Sequence, residues 1–217
     1  MRTILYIHGM GGGGDSRIPR LLREYFDPED IRCIVRTYDF DPETGHAQIM
    51  DWVREVQPDL VIGESLGAIQ AMRIGGVPHI YVSPSLGAPA YLYRLAWICR
   101  LPGGPALLHR IWPVKEGDRQ PLKFEYGVLR KYKAHWEAAR RVASEGGYNH
   151  AFFGTRDHYR RSGIVRISRW RKLFGDTCTV YQGTHFMEEE HVYALLVPKI
   201  REVLEREAGQ EAHLCKY

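Results

Sequence analysis

Ser65 stands in Gly63-Glu64-Ser65-Leu66-Gly67, directly after the apolar run Asp59-Leu60-Val61-Ile62 and ahead of the helix-compatible Ala68-Ile69-Gln70-Ala71-Met72-Arg73-Ile74. A strand that turns abruptly into a helix cramps the backbone of its apical residue, and glycines two positions before and after leave room for the turn. The hydroxyl then projects beyond the sheet edge. A serine hydroxyl is a weak nucleophile at neutral pH, so it needs a base to take its proton and a carboxylate to hold that base in one tautomer. Downstream, His150-Ala151-Phe152-Phe153-Gly154 runs into Thr155-Arg156-Asp157, and Thr179-Val180-Tyr181 runs into Gln182-Gly183-Thr184-His185. Asp157 and His185 each follow a predicted strand, in the chain order serine, acid, histidine. The carboxyl ends of strands are where open parallel sheets collect their sites. Asp176 is the rival acid, but it precedes the last strand instead of following one.

The first loop bears on the same chemistry. Thr3-Ile4-Leu5-Tyr6-Ile7 has a buried-strand pattern, and His8-Gly9-Met10-Gly11-Gly12-Gly13-Gly14 follows it before a helical segment at 17–26. Acyl transfer develops an oxyanion that needs two backbone N–H donors, and a glycine-rich main chain can approach closely enough to supply one. The expected donors are the amides of Leu66 and Met10, with Gly11 as the fallback for the second. His8 reads as a residue that shapes this loop.

Gly9 to Gly14 also satisfies G-x-G-x-x-G between a strand and a helix, which a dinucleotide-binding protein would want. A run of glycines matches that pattern cheaply, and Asp39 falls late for an acid expected about 20 residues on. Ser65, Asp157 and His185 would be left without a role. An acyltransferase, by contrast, uses the same three residues and is an alternative to hydrolysis.

The elements needed to position these residues can be read from the apolar runs. Strands are expected near 3–8, 33–39, 59–64, 79–84, 149–154 and 177–182, and helices near 16–26, 43–56, 66–74, 162–174 and 188–206. This alternation predicts an α/β fold, a six-stranded, mainly parallel sheet with helices on both faces. Right-handed crossovers give the strand order 2-1-3-4-5-6. One domain is expected over residues 1–217, because 217 residues at 44% hydrophobic content suit one sizeable core.

Between the fourth and fifth strands about sixty residues, roughly 86–147, far exceed an ordinary connection. They predict a helical lid. Tyr91, Leu92, Leu95, Trp97, Leu108 and Trp112 are its candidate substrate-binding residues, with gluing of the insertion to the sheet as the equal alternative. Eleven Lys or Arg against five acids make this segment basic. Such a run suits a solvated face, or an acidic substrate.

The chain opens on a core strand without a signal-like leader, and no run approaches the roughly 18 apolar residues of a membrane span. A cytoplasmic protein is expected. Cys33, Cys99, Cys178 and Cys215 lack metal-binding or disulfide spacing, and covalent serine chemistry calls for no metal or cofactor. The net charge of +4 comes with no nucleic-acid-binding motif, so the expected partner is a small-molecule ester or thioester and not a nucleic acid.

Taken together, Tyr6-Ile7-His8-Gly9, Gly63 to Gly67, Tyr81-Val82-Ser83-Pro84-Ser85, Asp157-His158-Tyr159 and Gly183-Thr184-His185-Phe186 resemble the α/β-hydrolase superfamily. Within it the chain resembles the small intracellular YqiA-like serine esterases. The resemblance covers nearly the whole chain except the insertion. It implies a compact α/β-hydrolase fold that lacks the first antiparallel strands of larger members, and hydrolysis of esters or thioesters. Glu64 and Ala68 depart from the Ser and Gly of the nearest relatives, which bears on substrate preference.

Overall fold

The structure, a computed structural model, describes residues 1–113, 116–143 and 145–214, with side chains through 206. Six parallel strands, β1 (Arg2–Ile7), β2 (Ile31–Val35), β3 (Leu60–Glu64), β4 (His79–Val82), β5 (Asn149–Gly154) and β6 (Cys178–Tyr181), form one sheet in the order 2-1-3-4-5-6. The order and the parallel sense are those the sequence pattern predicts.

Strand residues alternate between two cores because successive side chains point to opposite faces. Leu5, Ile7, Val61, Tyr81, Ala151 and Phe153 face one side. They meet α2 (Pro42–Val56), α3 (Gly67–Ala71) and α8 (Ile167–Phe174), with Trp170 of α8 fully buried. Ile4, Tyr6, Leu60, Ile62, Ile80, Val82 and Phe152 face the other. There α1 (Arg17–Phe26) contributes Leu21, Leu22 and Phe26, and the last helical run contributes Val192, Leu196, Ile200 and Val203. That run comprises α9 (Glu189–His191), a π-helical stretch (Val192–Leu196) and α10 (Val197–Leu214).

Two expected helices differ in extent. The helix after Ser65 ends at Ala71. The helix expected over 162–174 starts later, as α8 at Ile167, and is preceded by a separate short helix, α7 (Tyr159–Ser162), which Gly163 ends by taking a left-handed conformation (φ 74°).

The insertion between β4 and β5 carries α4 (Ala88–Leu95), α5 (Gly104–Ile111) and α6 (Tyr126–Ala143). Three of its basic residues bind it to the body. Arg119 pairs with Asp15 at 2.9 Å, Lys123 with Asp39 at 2.5 Å, and Lys131 with Asp41. Asp41 is also the N-cap of α2, accepting from the amides of Glu43 and Thr44. Burial opposes ionisation of Asp41, but the Lys131 ammonium and these two amides outweigh it and hold its carboxyl below the usual range. Arg100 and Arg130 lie instead over the rings of Tyr93, Trp97 and Tyr126, with Arg130 4.1 Å from the Tyr93 centroid.

Candidate active site

The register of the sheet brings the functional loops to one edge. Ile7 pairs with Gly63, Glu64 with Val82, Val82 with Phe152 and Gly154 with Tyr181, so β1, β3, β4, β5 and β6 end side by side. Ser65 follows β3 at once, Asp157 lies three residues past β5, and His185 lies four past β6.

Ser65 has φ 50°, a left-handed conformation that few non-glycine residues adopt. Its N–H donates to the carbonyl of Val82 at 2.9 Å, and its own carbonyl accepts from the N–H of Ser85 at 3.0 Å. The flanking glycines are required by contact. A Cβ on Gly67 would lie 2.2 Å from the His8 carbonyl oxygen, and one on Gly63 would lie 2.8 Å from Ala68 Cα. The elbow is therefore wedged between β1 and its own following helix.

The three predicted side chains meet. His185 Nε2 is 2.9 Å from Ser65 Oγ, and His185 Nδ1 is 2.7 Å from Asp157 Oδ2. Asp157 Oδ1 accepts from the N–H of Tyr159 at 2.8 Å. Both Asp157 and His185 are buried, and the Tyr159 ring packs edge-on against His185 at 4.7 Å. The loop that carries His185 is fixed from two directions. Glu188 accepts from the N–H of Thr184 at 3.0 Å, and Arg17 donates to the carbonyls of Phe186 and Met187. Asp176 stands apart, paired with Arg171 and 79% exposed.

The glycine-rich loop passes directly over the nucleophile, since a Cβ on Gly9 would lie 3.0 Å from Ser65 Cβ. Gly12 N–H closes a turn onto the Gly9 carbonyl at 3.0 Å, with Gly11 at φ 68°. Gln120 of the insertion stitches this turn in place. Its side-chain oxygen accepts from Gly11 N–H at 3.2 Å, its side-chain amide donates to the Tyr38 carbonyl, and its backbone N–H donates to the Gly12 carbonyl. The fallback donor, Gly11, is thus occupied. Among the described residues the amides of Met10 and Leu66 have no protein acceptor. His8 stacks on Tyr38 at 4.4 Å, and burial pushes its pKa down to about 4. It shapes the loop as a neutral ring.

This loop is not a phosphate cradle. Besides Gly11 and Gly12, Gly13 N–H donates to Ser16 Oγ at 3.0 Å and Gly14 N–H to Thr37 Oγ1 at 3.1 Å. A Cβ on Gly14 would lie 2.1 Å from a carboxylate oxygen of Asp118. A pyrophosphate would have to displace these acceptors and face that acid.

The candidate substrate residues separate by burial. Leu92 and Leu108 are closed into the core, and Leu95 and Trp112 pack partly against it, so these four glue the insertion down. Trp97 is 52% exposed and stacks edge-on with Tyr126 at the surface. Tyr91, 40% exposed, is near enough to Tyr159 to help raise that phenol's pKa, after burial and the Asp157 charge. Of the six, Tyr91 is the one the structure links to the surroundings of His185. Sequence reading missed Tyr159, Gln120 and Ser85, whose hydroxyl lies 3.1 Å from Ser65 Oγ.

No family model matches the chain, and no curated protein matches it significantly in sequence. Solved structures do match in shape. A monoacylglycerol lipase of Paleococcus ferrophilus superposes with TM-score 0.64 at 16% identity, covering 94% of both chains. Est1E of Butyrivibrio proteoclasticus, solved with ferulic acid bound, gives TM-score 0.60 at 18% identity over 98% of this chain and 90% of that one. FphF, a fluorophosphonate-binding serine hydrolase of Staphylococcus aureus, gives 0.58 at 11% over 94% and 84%. At these identities the likeness is one of fold, and the fold of this chain is the α/β-hydrolase fold.

Proposed function

We propose that the protein is a serine hydrolase that cleaves carboxylic ester or thioester bonds of a small substrate with a short to medium acyl group. The observation that carries this reading is the continuous hydrogen-bonded series Asp157, His185, Ser65 at 2.7 and 2.9 Å, on a serine held at φ 50°. Ser65 Oγ attacks the acyl carbonyl while His185 Nε2 takes its proton. Asp157 keeps the proton of the imidazole on Nδ1 and balances the charge that forms. The oxyanion of the tetrahedral intermediate accepts from the amides of Leu66 and Met10, which have no protein acceptor of their own among the described residues. His185 returns the proton to the leaving group. Water then repeats the sequence on the acyl-enzyme, releasing the acid.

The solved structures of similar shape include an esterase and a lipase, which supports the reaction class. Tyr159, whose ring packs on His185, and the half-exposed Tyr91, which lies close enough to influence Tyr159, are candidates to contact the acyl group. Incubation with a panel of p-nitrophenyl esters and acyl thioesters tests the reading. Release of free carboxylic acid at a rate well above background supports it, and transfer of the acyl group to an added alcohol with little free acid would make the protein an acyltransferase.

A further inference from the structure

Among the described residues Ser65 Oγ has two hydrogen-bonding neighbours, His185 Nε2 at 2.9 Å and Ser85 Oγ at 3.1 Å. The direction of both hydrogen bonds follows by elimination. An ionised Asp157 can only accept, so His185 Nδ1 carries a proton and donates to it. Nε2 of the neutral imidazole is then bare and accepts from Ser65 O–H. The Ser65 oxygen is left with lone pairs, and Ser85 O–H is the donor that faces them. The other acceptor near Ser85, the Ser83 carbonyl, lies at 3.5 Å, the outer limit of a hydrogen bond.

The backbone makes this arrangement deliberate. Ser83 turns at φ 47° just past β4, and Ser85 N–H then donates to the Ser65 carbonyl at 3.0 Å. The segment after β4 is thereby tied to the elbow by main chain and side chain together. Ser85 is 2% exposed, so solvent does not compete for its hydroxyl.

We infer that Ser85 is a fourth member of the series, a buried hydroxyl that donates to the nucleophile's oxygen throughout the reaction; this rests on the proposed role of Ser65. In acylation the Ser65 proton moves to His185 Nε2, the Oγ–C bond forms, and the carbonyl π pair moves to the oxyanion. The Ser85 proton stays on Ser85. As the Ser65 proton departs, charge builds on Oγ, and a hydrogen bond to a charged acceptor is about twice as strong as one between neutral groups. The same holds when Oγ leaves the second tetrahedral intermediate. The donor thus favours the transition states over the resting state. At rest it polarises Ser65 O–H toward His185, which favours the neutral imidazole.

Three forms, wild type, Ser85→Ala and Ser85→Thr, decide the matter through p-nitrophenyl acetate kinetics, fluorophosphonate labelling rate and thermal unfolding. Ser85→Ala is expected to lower kcat roughly tenfold with KM little changed. It should slow labelling by a similar factor and move the acid limb of the pH–kcat/KM profile to higher pH. Ser85→Thr, which keeps the hydroxyl, should recover most of the rate. Wild-type kcat and pH profile in a folded Ser85→Ala would overturn the inference, as would a Ser85→Thr enzyme equally stable yet as slow as the alanine variant. Ser65→Ala, run alongside, separates the two readings. If it abolishes labelling while Ser85→Ala has no effect, only the role of Ser85 fails; if Ser65→Ala labels normally, the underlying reading fails.

Discussion

Asp157 Oδ2 and His185 Nδ1 lie 2.7 Å apart with both side chains almost wholly withdrawn from solvent. A buried carboxylate so placed selects the imidazole tautomer that leaves Nε2 free to accept. Asp157→Asn would replace the acceptor by an amide that favours the wrong tautomer, so kcat should fall by about 10⁴. Asp176→Asn, at an exposed pair with Arg171, should change kcat by less than about twofold, since exposed ion pairs contribute little. Steady-state kinetics on both variants checks this, and the reverse ranking would move the acid.

Gly67 faces a backbone carbonyl that cannot yield. A Cβ there would sit 2.2 Å from His8 O and 2.5 Å from Ile7 O. Gly67→Ala must therefore push α3 away from β1, at a cost of about 1–3 kcal/mol for overpacking. Urea unfolding should show a lower midpoint with an unchanged slope. Turnover should fall as well, because Leu66, whose amide is a proposed oxyanion donor, immediately precedes Gly67. An unchanged midpoint would contradict the packing described.

The buried histidines predict how stability depends on pH. Burial lowers the pKa of His8 and of His79 to about 4, against about 6.5 in an unfolded chain. Between those values the unfolded state binds more protons, so stability rises with pH across this window. It is fully present above about 6.5 and lost as pH falls toward 4. Each of these two residues contributes on the order of 3 kcal/mol, and His46 and His135 shift in the same direction, chiefly through burial and secondarily through Arg73. Urea midpoints measured from pH 7.5 to 4.5 should fall steadily below pH 6.5. A flat series would show that these rings are solvated in the folded protein.

Acyl length should have an optimum. Each buried methylene contributes at most about 0.8 kcal/mol, so kcat/KM should climb over the first few carbons and then decline. Leu92 and Leu108 pack in the core, and Tyr91 and Tyr159 are the proposed acyl contacts. A soluble butyrate or hexanoate ester should be turned over faster than an emulsified long-chain triglyceride, and the opposite order would sink this part of the proposal.

Much of this arrangement was legible in the sequence because it is local. The elbow carries its own glycines, Asp157 and His185 each follow a strand, and a parallel sheet with right-handed crossovers leaves few strand orders. What escaped reading is long-range. Gln120 reaches Gly11, 109 positions away, from within the insertion, where no local pattern marks it. Arg119, Lys123 and Lys131 looked like a solvated or substrate-facing charge run, but pair with Asp15, Asp39 and Asp41 on the body. Ser85 stood in the sequence only as the last residue of the segment Tyr81 to Ser85. Its approach to Ser65 depends on the left-handed turn at Ser83, which, unlike the turn at Ser65, has no glycines two positions before and after to announce it.

The most direct test of the central claim is covalent. The protein should be treated with a fluorophosphonate, digested and mapped by mass spectrometry, with Ser65→Ala in parallel. A single adduct on Ser65, absent from Ser65→Ala together with a loss of several orders of magnitude in p-nitrophenyl acetate turnover, is the predicted result. Labelling at another residue, or a Ser65→Ala variant that labels and turns over at the wild-type rate, would contradict it.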